Sequence, residues 1–208
     1  HPDEVDFRDD LYLERITLYN LLGQEEKALE LLMQRRFHPW EGGEGKVTGQ
    51  YLFSHIELAK EAMKEALFQT AIVHLRACFT YPHNLGEGKL YGAQENDVFY
   101  WLNCAYNGLG ESKKAKEAWE KAAVGYNEPG PALYYNDPQP DKIFYQGRAL
   151  QKLGREAEAN SRFEKLWRYG EKQLSIPFKM DYFAVSLPDL FIFEDDMQER
   201  HEQHCHFL

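Results

Sequence analysis

Four positions spaced 43, 44 and 44 residues apart govern what this 208-residue chain can fold into: Gly23, Ala66, Gly110 and Gly154. Five residues after each stands an alanine (Ala28, Ala71, Ala115, Ala159), and nine after each a large apolar side chain (Leu32, Leu75, Trp119, Phe163). Four before them lie Tyr19, Ala62, Tyr106 and Leu150. The pattern is looser eight before, at Arg15, Leu58, Leu102 and Gln146, and twelve after, at Arg35, Cys78, Ala122 and Leu166. Apolar residues at helical spacing on both sides of a turn residue describe two amphipathic helices joined tightly. Three of the anchors are glycine, which tolerates the φ values a helix stop requires. The alanine five residues on marks a close helix crossing, where a larger side chain would not fit.

The spacing predicts helices near 9–22 and 24–36, 50–64 and 66–80, 95–108 and 111–124, and 141–153 and 155–172. Pro177 and Pro188 interrupt the chain beyond the last of these, so 173–194 reads as a loop or packed extension. Its aromatics Phe178, Tyr182, Phe183, Phe191 and Phe193 are too apolar for water and are expected to pack on the last helix pair as a cap. The run 195–208 has helical character and is expected to be the first helix of a further repeat.

Aromatic or apolar, small, turn glycine, alanine, then aromatic: this order resembles the tetratricopeptide repeat. The resemblance covers about residues 9 to 171 and implies an all-α fold, an α-solenoid of about four helix pairs. The repeats are expected at 9–47, 50–93, 95–138 and 141–172, within an array over 1–172 closed by a capping extension at 173–208. The usual unit is about 34 residues, and here each carries roughly ten more in an extended link to the next. Such arrays bind through a concave groove. Positions thirteen, ten, six and three before each anchor should line it: Asp10, Leu13, Thr17, Asn20; Phe53, Ile56, Lys60, Met63; Asp97, Tyr100, Cys104, Asn107; Asp141, Phe144, Arg148, Gln151. Some tetratricopeptide domains grip a peptide's C-terminal carboxylates with Lys, Asn and Arg. Asn20, Lys60, Asn107 and Arg148 are donors of that kind, beside Asp97, Tyr100 and Phe144, although Thr17 and Cys104 stand where a full clamp would want donors.

The links carry the most specific local signal. Phe37–Lys46 and Tyr81–Lys89 both contain Gly-Glu-Gly-Lys, at Gly43 and Gly86, an offset of 43 that equals the repeat period. The third link keeps only Gly130, within Glu128-Pro129-Gly130-Pro131. Loops recurring at the repeat period leave one edge side by side, which would gather His38, Trp40, Glu44, Lys46, Tyr81, His83, Glu87 and Lys89. Aromatics beside carboxylates in glycine-rich loops suit sugars and protein surfaces alike; equally, the glycines shape a turn and the charges are solvated. A P-loop is excluded, because Trp40 and His83 stand where its first glycine belongs and Val47 and Leu90 where its Ser or Thr belongs.

Charge and composition narrow the function. The formal net charge of -10 and the lack of a basic stripe argue against nucleic acid. No apolar run approaches the ~18 residues of a membrane helix, and nothing resembles a signal peptide. Cys78, Cys104 and Cys205 are odd in number and far apart, which fits a reducing, cytoplasmic setting better than a disulfide framework. His201, His204 and Cys205 share a helical face, but a polar helix that happens to carry histidines explains them, and no metal or other cofactor is expected. No nucleophile–base arrangement can be assigned, so no catalytic residue is expected.

The chain opens on His1 rather than Met, which leads us to expect a piece of a longer protein. The runs Tyr135-Asn136-Asp137-Pro138 with Pro140–Gly147, Asp181–Leu190 and the His38–Lys46 link resemble the C-terminal repeat region of large bacterial proteins that carry an N-terminal β-rich domain of unknown function. That resemblance implies a cytoplasmic multidomain chain with a connection to carbohydrate metabolism, and it brings no catalytic residues. Two functions are open to such a chain. One is a non-catalytic scaffold that binds a protein or peptide, or the N-terminal part of its own chain, through groove and loop edge. The other is an accessory part of a carbohydrate-active enzyme, with a saccharide stacked on Trp40 beside His38, Glu44 or His83.

Overall fold

The computed structural model describes residues 5–132, 137–179 and 196–208. Among these the chain is helical, with no strand, and divides into two compact units. The first unit, His1–Tyr91 with Trp101–Ala115, contains α1 (Asp9–Leu21), α2 (Glu25–Gln34), α3 (Lys46–Lys64) and α4 (Phe68–Ala77). The second, Gly92–Tyr100 with Lys116–Leu208, contains α7 (Asp141–Lys152), α8 (Glu156–Leu174) and α9 (Met197–Phe207). The intervening α5 (Asn96–Gly108) and α6 (Ser112–Ala122) each contribute residues to both units.

The four anchors are four copies of one helix stop. Gly23, Ala66, Gly110 and Gly154 all lie in the left-handed region, with φ of 68°, 59°, 74° and 74°. Each anchor N–H donates to the carbonyl three residues back, and the next N–H to the carbonyl five back: Gly23 to Asn20 and Gln24 to Tyr19, Ala66 to Met63 and Leu67 to Ala62, Gly110 to Asn107 and Glu111 to Tyr106, Gly154 to Gln151 and Arg155 to Leu150. This pair of bonds is the Schellman motif, which satisfies carbonyls that a helix end leaves without partners. The carbonyl after each anchor then accepts from the recurring alanine and starts the second helix, as in Gln24 to Ala28 and Arg155 to Ala159. All four alanines are buried. Their burial matches the close helix crossing expected at that position.

In the first unit α1 packs on α2, and α3 packs on α1, α2 and α4. Tyr12, Ile16, Leu32, Phe37, Val47, Tyr51 and Leu85 form its core. Asn20 is buried within it, donating through Nδ2 to Gln50 Oε1 (2.8 Å) and accepting from Ser54 Oγ (2.9 Å), so the end of α1 is tied to α3. In the second unit α7 packs on α8, and α8 on α9, around Ile143, Leu150, Ala159, Leu166 and Cys205. Gly170 lets α9 approach, since a Cβ there would lie 2.6 Å from the Cys205 carbonyl oxygen. The α9 helix thus covers the second helix of a pair, as α3 covers α2. The aromatics Tyr182, Phe183, Phe191 and Phe193 lie outside the described residues, while Phe178 packs against the His201 ring at 5.9 Å between centroids.

The helix α3 begins at Lys46, four residues before the spacing placed it, because the first Gly-Glu-Gly-Lys is itself a helix start. Ala66 is the one anchor with a side chain and carries the cost of a left-handed φ, about 1–2 kcal/mol. Ala66→Gly removes that strain and adds back part of it as unfolded-chain entropy. A net gain of about 0.5–1 kcal/mol is expected, read as a rise of about 2–4 °C in thermal midpoint. A lower midpoint would contradict the turn geometry.

Candidate functional site

The two Gly-Glu-Gly-Lys links lie against each other. Phe37 N–H donates to the Asn84 carbonyl (2.8 Å), and Asn84 Nδ2 donates to the carbonyls of Leu32 and Arg35 (2.9 Å each). Gly86, with φ of 79°, brings its backbone so near that a Cβ would sit 2.7 Å from Phe37 O. The Glu87 carboxylate accepts from Gly45 N–H (3.0 and 3.1 Å) and lies 3.3 Å from Thr48 Oγ1. Gly45 precedes the first turn of α3, so Glu87 caps that helix and meets the positive end of its dipole. On the other side Asp9, at the start of α1, holds Arg35 (2.5 Å) and the His38 N–H (2.8 Å). Burial pushes the Asp9 carboxyl up, and these donors together outweigh it and hold the group below its usual range.

The loop-edge residues therefore divide by role. Glu87 is engaged in capping, and Trp40 is packed on the first core, its indole so close to Gly43 that any Cβ there would overlap it. Lys89 reaches the Phe79 carbonyl (3.5 Å) and lies over the Phe79 ring. His38, Glu44, Lys46 and His83 are exposed.

The groove positions divide likewise. In the first unit Asn20 is spent on Gln50 and Ser54, Lys60 pairs with Glu57 (2.5 Å) and sits 5.1 Å from the Trp101 ring centroid, and Asn107 is exposed. In the second unit Asp97 pairs with Lys142 (2.6 Å); burial opposes the Lys142 charge, and Asp97 and Asp141 sustain it. Burial pushes the neighbouring Asp141 carboxyl up. Tyr100 is buried, its ring against Trp119 and Tyr145. Phe144 is 46% exposed yet fixed from below by Tyr145 and Phe163, whose centroids are 5.5 and 5.9 Å away. Arg148 lies one turn along the same face, 3.4 Å from Gln151 Oε1.

A contact between α3 and α4 was missed by the sequence reading: His55 and His74 meet Nδ1 to Nδ1 at 2.9 Å. They stand eleven before and eight after Ala66; Tyr12 and Leu31 occupy the same places about Gly23 and also touch, Tyr12 Oη donating to Leu31 O (3.3 Å). The repeat register itself could have paired the histidines. Burial and the neighbouring His74 push His55 down to about 4; burial also lowers His74, against the pull of Glu26.

At the other end, Cys205 is buried, its Sγ 3.7 Å from His201 Nε2, and burial pushes the thiol up. Among the described residues no group of three or more His, Cys, Asp or Glu is placed to hold a metal ion, and no helix is long and apolar enough to cross a membrane.

The helix pairs and their shared turn define an all-α protein of tetratricopeptide-like helix pairs. No family model matches the chain. Among solved structures, the crystal structure of MamA is 20% identical over 80% of this chain and 80% of that one, with a TM-score of 0.37. The fold assignment rests on the helix pairs themselves.

Because Glu87 caps α3 from 42 residues away, Glu87→Ala should cost about 1 kcal/mol in urea unfolding, with Glu87→Gln recovering part of the loss. Equal stability of the alanine variant and the parent would remove the cap from the account.

Proposed function

We propose that this chain is a non-catalytic scaffold that binds a protein segment, and that the exposed face of α7 in the second unit receives it. The observation that carries this reading is Phe144, a large apolar side chain left in water but held rigid by Tyr145 and Phe163, with the Arg148 guanidinium one turn further on. A rigid aromatic anchor beside a cation suits an apolar side chain and a carboxylate on one partner segment. The Asp97–Lys142 pair and the buried Tyr100 keep α5 and α7 in place behind that face. Asn107 in the first unit, and the exposed His38, Glu44 and His83 of its loop edge, are further polar positions open to contact, whereas Lys60 would have to leave Glu57 first. The segment belongs either to a separate protein or to another part of the same polypeptide, and the same surface fits both.

The test is affinity capture with the chain as bait, then titration of the recovered partner against Phe144→Ala, Arg148→Glu and, at an exposed position of α6, Lys116→Gln. The first two should weaken binding about tenfold or more, and Lys116→Gln should leave it unchanged. Equal effects of all three, or none, would reject the α7 face.

A further inference from the structure

The His55–His74 contact lies in the first unit, and the binding face proposed above makes no use of it. Two imidazole Nδ1 atoms 2.9 Å apart share one hydrogen, so one ring donates and the other accepts. The rings lie between α3 and α4, with His55 buried and Tyr51 edge-on to it at 4.5 Å. Tyr51 in turn holds α4 by donating from its hydroxyl to the Ala77 carbonyl (3.4 Å). We propose that this pair is a proton-sensitive latch: it closes α3 on α4 while at least one ring is neutral, and it opens the second helix pair when both are protonated.

The surrounding groups set the order of events. From α2, Glu26 favours a proton on His74. From α3, the Tyr51 hydroxyl is pushed further above the acid range by burial and then by the neighbouring Cys78, so it adds no charge there. From α1, α3 meets the neutral amide of Asn20. The first proton therefore goes to His74 at Nε2 and leaves its Nδ1–H donating to His55. The second proton must enter His55 at Nδ1, where two N–H groups and two charges then face each other, and the contact breaks.

Linkage sets the sign. Both rings bind protons less readily when folded than when free in an unfolded chain, where they titrate near ~6.5. Their contribution is full above that pH and is lost as the pH falls toward about 4, the value of His55.

The experiment compares thermal midpoints of the parent and His55→Gln from pH 7.5 to 4.5, with hydrogen exchange of α3 and α4 amides measured against α7 and α8 in the same sample. Glutamine keeps a hydrogen-bonding group and cannot titrate. The parent should lose about 5 °C more than His55→Gln over that range. Its α3 and α4 amides should lose protection ahead of those in α7 and α8. Parallel midpoint curves, or uniform loss of protection, would overturn the latch. Should His55→Gln not fold, the imidazole NMR titration of the parent decides: His55 titrating near ~6.5 would overturn it.

Discussion

Everything in this fold hangs on a helix that stops in the same way four times. The left-handed residue at each anchor lets two N–H groups turn back onto the preceding helix, and it sets the direction in which the second helix leaves. With that direction set, the residue five places on is buried in all four pairs, and in all four it is alanine. The buried alanines are therefore a consequence of the turn rather than an independent device. Ala66 shows how strict the requirement is, since the backbone enters the left-handed region there even though a Cβ makes this costly.

The long links are part of the frame. Each returns to the start of a first helix: Arg35 and His38 meet Asp9, Glu87 meets Gly45, and the carbonyls of Ala122 and Val124 accept from Asn96 Nδ2. The three contacts do different work: Glu87 takes a helix-start N–H and meets the positive end of the dipole, Asp9 accepts donors from the returning link, and Asn96 satisfies carbonyls at the end of α6. The extra residues in the first three links thus tie each link to the start of a first helix, and the glycines among them permit the approach, as Gly86 does against Phe37.

The polar residues of the first unit show why a residue type alone does not define a binding site. Asn20 and Glu87 have the chemistry of ligand-binding groups, and the fold uses both on itself. A side chain that already has partners within the protein must give them up to bind anything else, at a cost that offsets the new contact. Phe144 differs because its neighbours hold the ring in position without covering it. The His55–His74 contact is different again: its partners are satisfied at neutral pH, and acid is what removes that satisfaction.

The sequence by itself determined the helix pairs, their turns and their period. Those features depend on interactions within about five residues of each anchor, and such interactions leave a regular spacing in the chain. It also placed the two Gly-Glu-Gly-Lys links at the same offset, one helix pair apart. Tertiary structure alone decided which polar groups remain available. The Glu87 cap joins residues 42 apart, Asn84 reaches across 52 to Leu32, and His55 and His74 meet across 19. Helical periodicity says which face a side chain occupies, but which distant partner it finds depends on how the pairs and links pack, and that packing decides whether a charged or polar group is a support or a site.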